Sequence, residues 1–120
     1  MKLWQLSEQG LHISIYHILC TKHTCKDDYG GETGRPLCKR FDEHYRCAAN
    51  PTAKSYKDCP LAKHYAEKHP NEAPSLKLEI IGRGTSLINR KIKEAKFIKQ
   101  RKPTLNDKTE LHQLQQFLVE

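Results

Sequence analysis

The run Tyr29-Gly-Gly-Glu-Thr-Gly-Arg-Pro-Leu-Cys-Lys-Arg40-Phe-Asp-Glu-His44 constrains this chain more than any other stretch. Its glycine pair suits a short strand over Tyr29 to Glu32 whose backbone another segment can approach closely. Pro36 suits the first turn of a helix, and Leu37, Phe41, His44 and Ala48 then recur at helical spacing, which predicts a helix from about Pro36 to Cys47. Arg40 and His44 are four residues apart and so neighbour each other on one face of it. Upstream, His12 to Leu19 alternates apolar and polar residues and reads as a half-buried strand carrying Ser14-Ile15-Tyr16. Tyrosine, arginine and histidine brought together beside a turn are residue types that can hold and attack a phosphodiester.

The remaining elements follow from the same periodicities. Asn50-Pro51-Thr52 breaks the first helix, and Asp58 is a candidate cap for a short helix over Pro60 to Lys68, which Pro70 stops. Leu76 to Ile81 alternates as a third strand, with Gly82 and Gly84 at the turn beyond it. Ile88, Ile92, Ala95 and Ile98 mark the apolar stripe of a long helix that ends before Pro103. Leu111 to Val119 has helical spacing again. The expected fold class is α+β: a small, three-stranded, mainly antiparallel sheet flanked by helices. The expected division is an N-terminal extension over 1–11, one domain over 12–107, and a C-terminal helix or tail over 108–120.

Net charge of +7 and a pI near 9.2 favour a polyanionic partner, nucleic acid first and an acidic membrane surface second. No stretch approaches the roughly 20 apolar residues of a membrane span, and Gln5, Glu8 and Gln9 interrupt any signal-peptide core, so an intracellular protein is expected. Five cysteines, an odd number, argue for metal binding by some of them over a disulfide framework. Cys20 and Cys25 form one pair between the first two strands; His64 and His69 form a second. Residues five apart on a continuous helix point about 140° away from each other, so both histidines can reach one ion only if the helix ends before His69. Pro70 supplies that ending. Two thiolates and two imidazoles suit tetrahedral, structural Zn²⁺, with His23 and Cys59 as alternative ligands. Cys38 and Cys47 read as packing residues.

Phosphodiester hydrolysis needs an activated water, neutralisation of phosphate charge, and help for the leaving oxygen. Arg40 offers a planar fork of donors, with Arg35 as a competing phosphate contact. Glu94 offers a hard carboxylate oxygen for Mg²⁺ or Mn²⁺, and Tyr16 or Tyr29 can take the water's proton. Lys91, Lys93, Lys96, Lys99, Arg101 and Lys102 make the last long helix basic. Arg35, Lys39, Arg90, Lys91 and Lys99 are the expected DNA contacts, made to phosphate with little sequence preference. No small-molecule cofactor is expected.

With these residues in place, the chain resembles the GIY-YIG endonucleases over residues 12–107, and is most similar to the version carried by Penelope-like retroelements. Tyr16 and Tyr29 match the family's two tyrosines, and Arg40 and His44 its helix arginine and histidine. Glu94, in Arg90-Lys-Ile-Lys-Glu94-Ala-Lys-Phe-Ile98, matches the metal-binding glutamate, and Asn106 the asparagine after the proline near the domain end. A cysteine pair between the tyrosines and a histidine pair downstream are also similar. The resemblance implies a catalytic domain that works in the nucleus beside a reverse transcriptase domain or element RNA, freeing a 3′ hydroxyl to prime copying. Two positions depart from the family: Ser14 stands where it usually has glycine, and Gly30 where it has isoleucine or valine. The second change is expected to remove core packing and weaken the strand.

Overall fold

The first strand forms the centre of the sheet. A computed structural model describes residues 14–83 and 87–106. Its strands are β1 (Ser14–Cys20), β2 (Asp28–Thr33) and β3 (Leu76–Arg83), in the order β2-β1-β3, with β1 antiparallel to both neighbours. The helices are α1 (Leu37–Ala49), α2 (Pro60–Lys68) and α3 (Leu87–Arg101), and a 3₁₀ turn spans Lys54–Tyr56. The chain is thus α+β with a three-stranded antiparallel sheet, as the periodicities predict. The expected extension over 1–11 and tail over 108–120 lie outside the described residues, as does the helical spacing of Leu111 to Val119.

Each face of β1 goes to a different core, because successive side chains of a strand point to opposite sides. Tyr16, Ile18 and Cys20 pack with Tyr29, Leu37, Ala48, Leu61 and Tyr65 into a buried cluster under α1 and α2. Ile15 packs on the other side with Ala95, Phe97 and Ile98 of α3. The stripe expected for α3 holds at Ala95 and Ile98 but not at Ile88, which is 65% exposed; Phe97 is buried instead. The residue at the N-cap of α2 is Cys59, not Asp58, and no side chain caps that helix end.

The outer edge of β2 is covered by residues 104–106, which come from the far end of the described chain. Leu105 N–H donates to the Asp28 carbonyl at 2.8 Å, and Thr104 N–H to the Asp28 carboxylate at 2.9 Å. The Asn106 amide closes the contact by accepting from Gly30 N–H and donating to Gly30 O, both at 2.8 Å. An edge that would otherwise offer open donors and acceptors is thereby paired.

This docking explains Gly30. A Cβ there would lie 2.6 Å from Phe97 Cε1 and 3.4 Å from Pro103 Cγ. The packing expected to be missing at Gly30 is supplied by Phe97, whose ring fills the space a branched side chain would take. Gly30→Val is therefore expected to destabilise by about 2 kcal/mol through overpacking, despite valine's better strand propensity. Denaturant midpoints should show a smaller penalty in a Phe97→Ala background; an equal penalty in both backgrounds would refute the account.

Candidate active site and metal centre

Tyr16 of β1 and Gly31 of β2 are cross-strand partners. A Cβ at Gly31 would lie 2.6 Å from the Tyr16 hydroxyl oxygen, so the missing side chain makes room for the phenol to lie across β2. The hydroxyl lies 2.7 Å from Nε2 of His44, carried on the buried face of α1. The Tyr29 ring centroid stands 5.2 Å from that of His44 and 6.5 Å from that of Tyr16. Arg40, one turn before His44, puts its guanidinium beside the Tyr16 hydroxyl. From α3 comes Glu94, buried at 3% exposure and within electrostatic range of Tyr16. Tyr16, Tyr29, Arg40, His44 and Glu94 are thus brought together from four elements. A cleft of about 380 Å³, lined in part by Tyr29, Arg40, His44 and Tyr56, opens beside them.

Burial, opposed by the Arg40 charge, pushes the Tyr16 hydroxyl up to about 12. Burial and then Arg40 hold His44 down to about 3. Both are neutral at physiological pH. Burial works against the charge of Arg40, but Tyr16, Glu43 and Tyr29 around it raise its pKa and keep it protonated.

The buried His44 has a consequence for stability. An unfolded imidazole takes a proton near pH 6.5, whereas the folded one resists it down to about 3. Stability is therefore complete above the unfolded value and is lost as pH falls through that window, by about 1.4 kcal/mol per unit. Between pH 7 and 4.5 the wild type is expected to lose about 2 kcal/mol more than His44→Gln, read from denaturant midpoints. Equal losses would refute it.

Other expected site residues are placed differently. Asn106 has its amide engaged on the Gly30 backbone, so it positions β2 and Tyr29. Arg90 and Lys91 both turn onto the Glu32 carboxylate of β2, and Lys91 Nζ also lies 3.9 Å from Glu94. Lys39 and Lys99 are exposed. Arg35 grips Glu43 through both terminal guanidinium nitrogens, at 2.6 and 2.8 Å, and Arg40 donates to the same carboxylate at 2.8 Å. Neither Glu32 nor Glu43 was singled out in the sequence, although Arg40 and Glu43 stand at the i,i+3 spacing of a helical ion pair.

Between the β1–β2 connection and α2, Cys20, Cys25, His64 and His69 present ligand atoms all within 4.8 Å of one another. These four can hold a metal ion. Helix α2 ends at Lys68; His69 is its C-cap, with non-helical φ of −132°, and this swings its ring back toward His64, at 4.9 Å between centroids. Cys25 Sγ lies 3.4 Å from His64 Nε2, and Cys20 Sγ 3.6 Å from His69 Nε2. The opposite nitrogens face carboxylates: His64 Nδ1 is 3.5 Å from Asp27, and His69 Nδ1 3.4 Å from Glu72. Carboxylates so placed fix the ring orientation of metal-binding histidines. The Tyr65 hydroxyl, 3.3 Å from Cys20 Sγ, binds the Ser75 backbone through both N–H and carbonyl, a tie that the sequence did not announce. The alternative ligands are elsewhere: His23 is 73% exposed on Glu72, and Cys59 neighbours Cys47.

No protein-family model, curated protein or solved structure matches this chain.

Proposed function

We propose that this chain is a divalent-metal-dependent DNA endonuclease domain of the GIY-YIG type, nicking one strand, with a structural zinc ion apart from the reacting centre. The observation that carries this reading is the meeting of Tyr16, Tyr29, Arg40 and His44 around one hydroxyl, with the Glu94 charge in range. As in the Penelope-like retroelement domains that the sequence resembles, the nick frees a 3′ hydroxyl in nuclear DNA for a reverse transcriptase domain acting with element RNA.

Arg40 binds a non-bridging phosphate oxygen through its donor fork. Tyr16, bonded to His44, is placed to relay a proton. Its oxygen accepts the proton of the attacking water while its own passes to His44 Nε2, as the water oxygen bonds phosphorus and the bond from phosphorus to the 3′ oxygen breaks; that oxygen leaves with the bonding pair and takes a proton from solvent. A phosphodiester on Arg40 offsets part of the charge that, after burial, holds His44 low, which makes the imidazole a better acceptor. Glu94, a buried carboxylate with Glu32 nearby across Lys91, fits the needs of Mg²⁺ or Mn²⁺ for a hard oxygen ligand completed by water. Such an ion, when bound, supplies Lewis-acid stabilisation of the leaving oxygen.

Zinc suits the Cys20, Cys25, His64, His69 cluster by distance as well as by ligand type. Zn–S near 2.3 Å and Zn–N near 2.0–2.1 Å imply tetrahedral S···N edges of about 3.5 Å, against 3.4 and 3.6 Å here. Four protein ligands leave no position for water, so the ion is structural.

One observation favours a second reading, a zinc-stabilised nucleic-acid-binding module without catalysis: the Lys91 ammonium already stands 3.9 Å from Glu94, where a catalytic cation would compete with it. Conversion of supercoiled plasmid to open circles with Mg²⁺ supports the nuclease. DNA binding with no metal-dependent nicking supports the module, and a strong preference for branched over linear DNA would point to a repair nuclease of the same type.

A further inference from the structure

Arg40 and Glu43 line the cleft of the candidate site, and the Glu43 carboxylate holds Arg35 as well. Arg35 lies on the connection between β2 and α1, its N–H donating to Thr33 Oγ1 at 3.0 Å. From there its guanidinium meets Glu43 end-on, Nη1 to Oε1 at 2.6 Å and Nη2 to Oε2 at 2.8 Å. Arg40 Nη1 shares Oε2, also at 2.8 Å. A planar carboxylate with two oxygens divided between two forks offers the same acceptor pattern as the non-bridging oxygens of a phosphodiester. Two guanidiniums against one carboxylate leave a positive charge, so the cluster remains attractive to a second anion.

The structure assigns Glu43 as the resident occupant of a phosphate clamp made by Arg35 and Arg40, and we propose that a DNA phosphodiester binds by displacing it from Arg35. The inference rests on the nuclease reading for the identity of the anion. Exchange is feasible because the Arg35 and Glu43 side chains are 58% and 38% exposed, and ion pairs so exposed contribute little to stability. Arg40 is less exposed, at 31%, and is held by Tyr16 as well, so it stays in place while Arg35 changes partner. Glu43 is thus a positioning residue. It keeps the Arg40 fork aimed before DNA arrives and imposes a competition that a weakly held anion loses.

The test is binding of a labelled DNA duplex by anisotropy, with Mg²⁺ omitted so that nothing is cut. Glu43→Gln is nearly isosteric and is expected to tighten the dissociation constant roughly three- to tenfold, chiefly from the lost competing pair, with the lost like charge beside phosphate contributing less than about twofold. Arg35→Ala should weaken binding, and in that background Glu43→Gln should change it less than about twofold, since the contested fork is gone. Glu43→Ala should act in the same direction as Glu43→Gln, with thermal melting confirming that each variant folds. Binding that is unchanged or weaker in Glu43→Gln, or a gain that persists without Arg35, would overturn the role of Glu43 alone. Absence of duplex binding by the wild type and every variant would overturn the nuclease reading, and this inference with it.

Discussion

Arg40→Ala and Glu94→Gln are each expected to slow metal-dependent plasmid nicking by about a thousandfold, or roughly 4 kcal/mol of activation free energy. The two losses have different origins. Arg40 is the cation beside the Tyr16 hydroxyl, and its neighbours raise its pKa further. Without it, charge growing on the phosphate oxygens meets no fixed donor fork. Glu94 is buried at 3% exposure, so its replacement by the isosteric amide removes a charge while conserving shape. The amide is a poor ligand for a hard divalent cation. Melting temperatures near the wild-type value would show that the losses are chemical. Nicking at the wild-type rate by either variant would sink the proposed centre, and a wild type that binds DNA but never nicks it would leave the binding module as the function.

Removal of the metal is expected to have the largest effect on folding. Cys20 belongs to β1 and Cys25 to the connection before β2, while His64 and His69 belong to α2 and its cap. One ion held by these four residues would therefore tie the sheet to a helix remote in sequence. Stripping zinc with a strong chelator, or making Cys25→Ala, is expected to cost on the order of 5 kcal/mol or more, comparable to the whole stability of a small domain. Circular dichroism should show cooperative melting lost or shifted down by tens of degrees, with recovery on adding Zn²⁺ to the stripped wild type but not to Cys25→Ala. Elemental analysis should return about one zinc per chain, as a closed four-ligand site requires. An unchanged melting curve after zinc has left would refute a structural ion. Because the two centres are separate, Cys25→Ser and Glu94→Gln should fail differently: the first through the fold, the second in nicking alone.

The two centres also differ in how legible they were. Cys20 with Cys25, and His64 with His69, could be paired from spacing because the deciding event is local: Pro70 forbids helical geometry at His69, and the cap turns its ring back. Arg40 and His44 share a helix face for an equally local reason. By contrast, nothing within a few residues of Arg90 and Lys91 foretells that they meet Glu32 of β2 instead of facing outward. The same holds for Arg35, whose fork is taken by Glu43 from the next element.

By itself the sequence determined the succession of strands and helices and the local pairs, since periods of 2 and 3.6 and the proline and glycine positions act through neighbours along the chain. Only the tertiary structure decided that Phe97 fills the space above Gly30, that Ile88 stays exposed, and that Asn106 pairs with a strand 76 residues upstream. Those outcomes depend on which surfaces dock when α3 crosses the sheet. Close packing and the pairing of buried backbone groups decide that docking, and both couple residues that have no local relation.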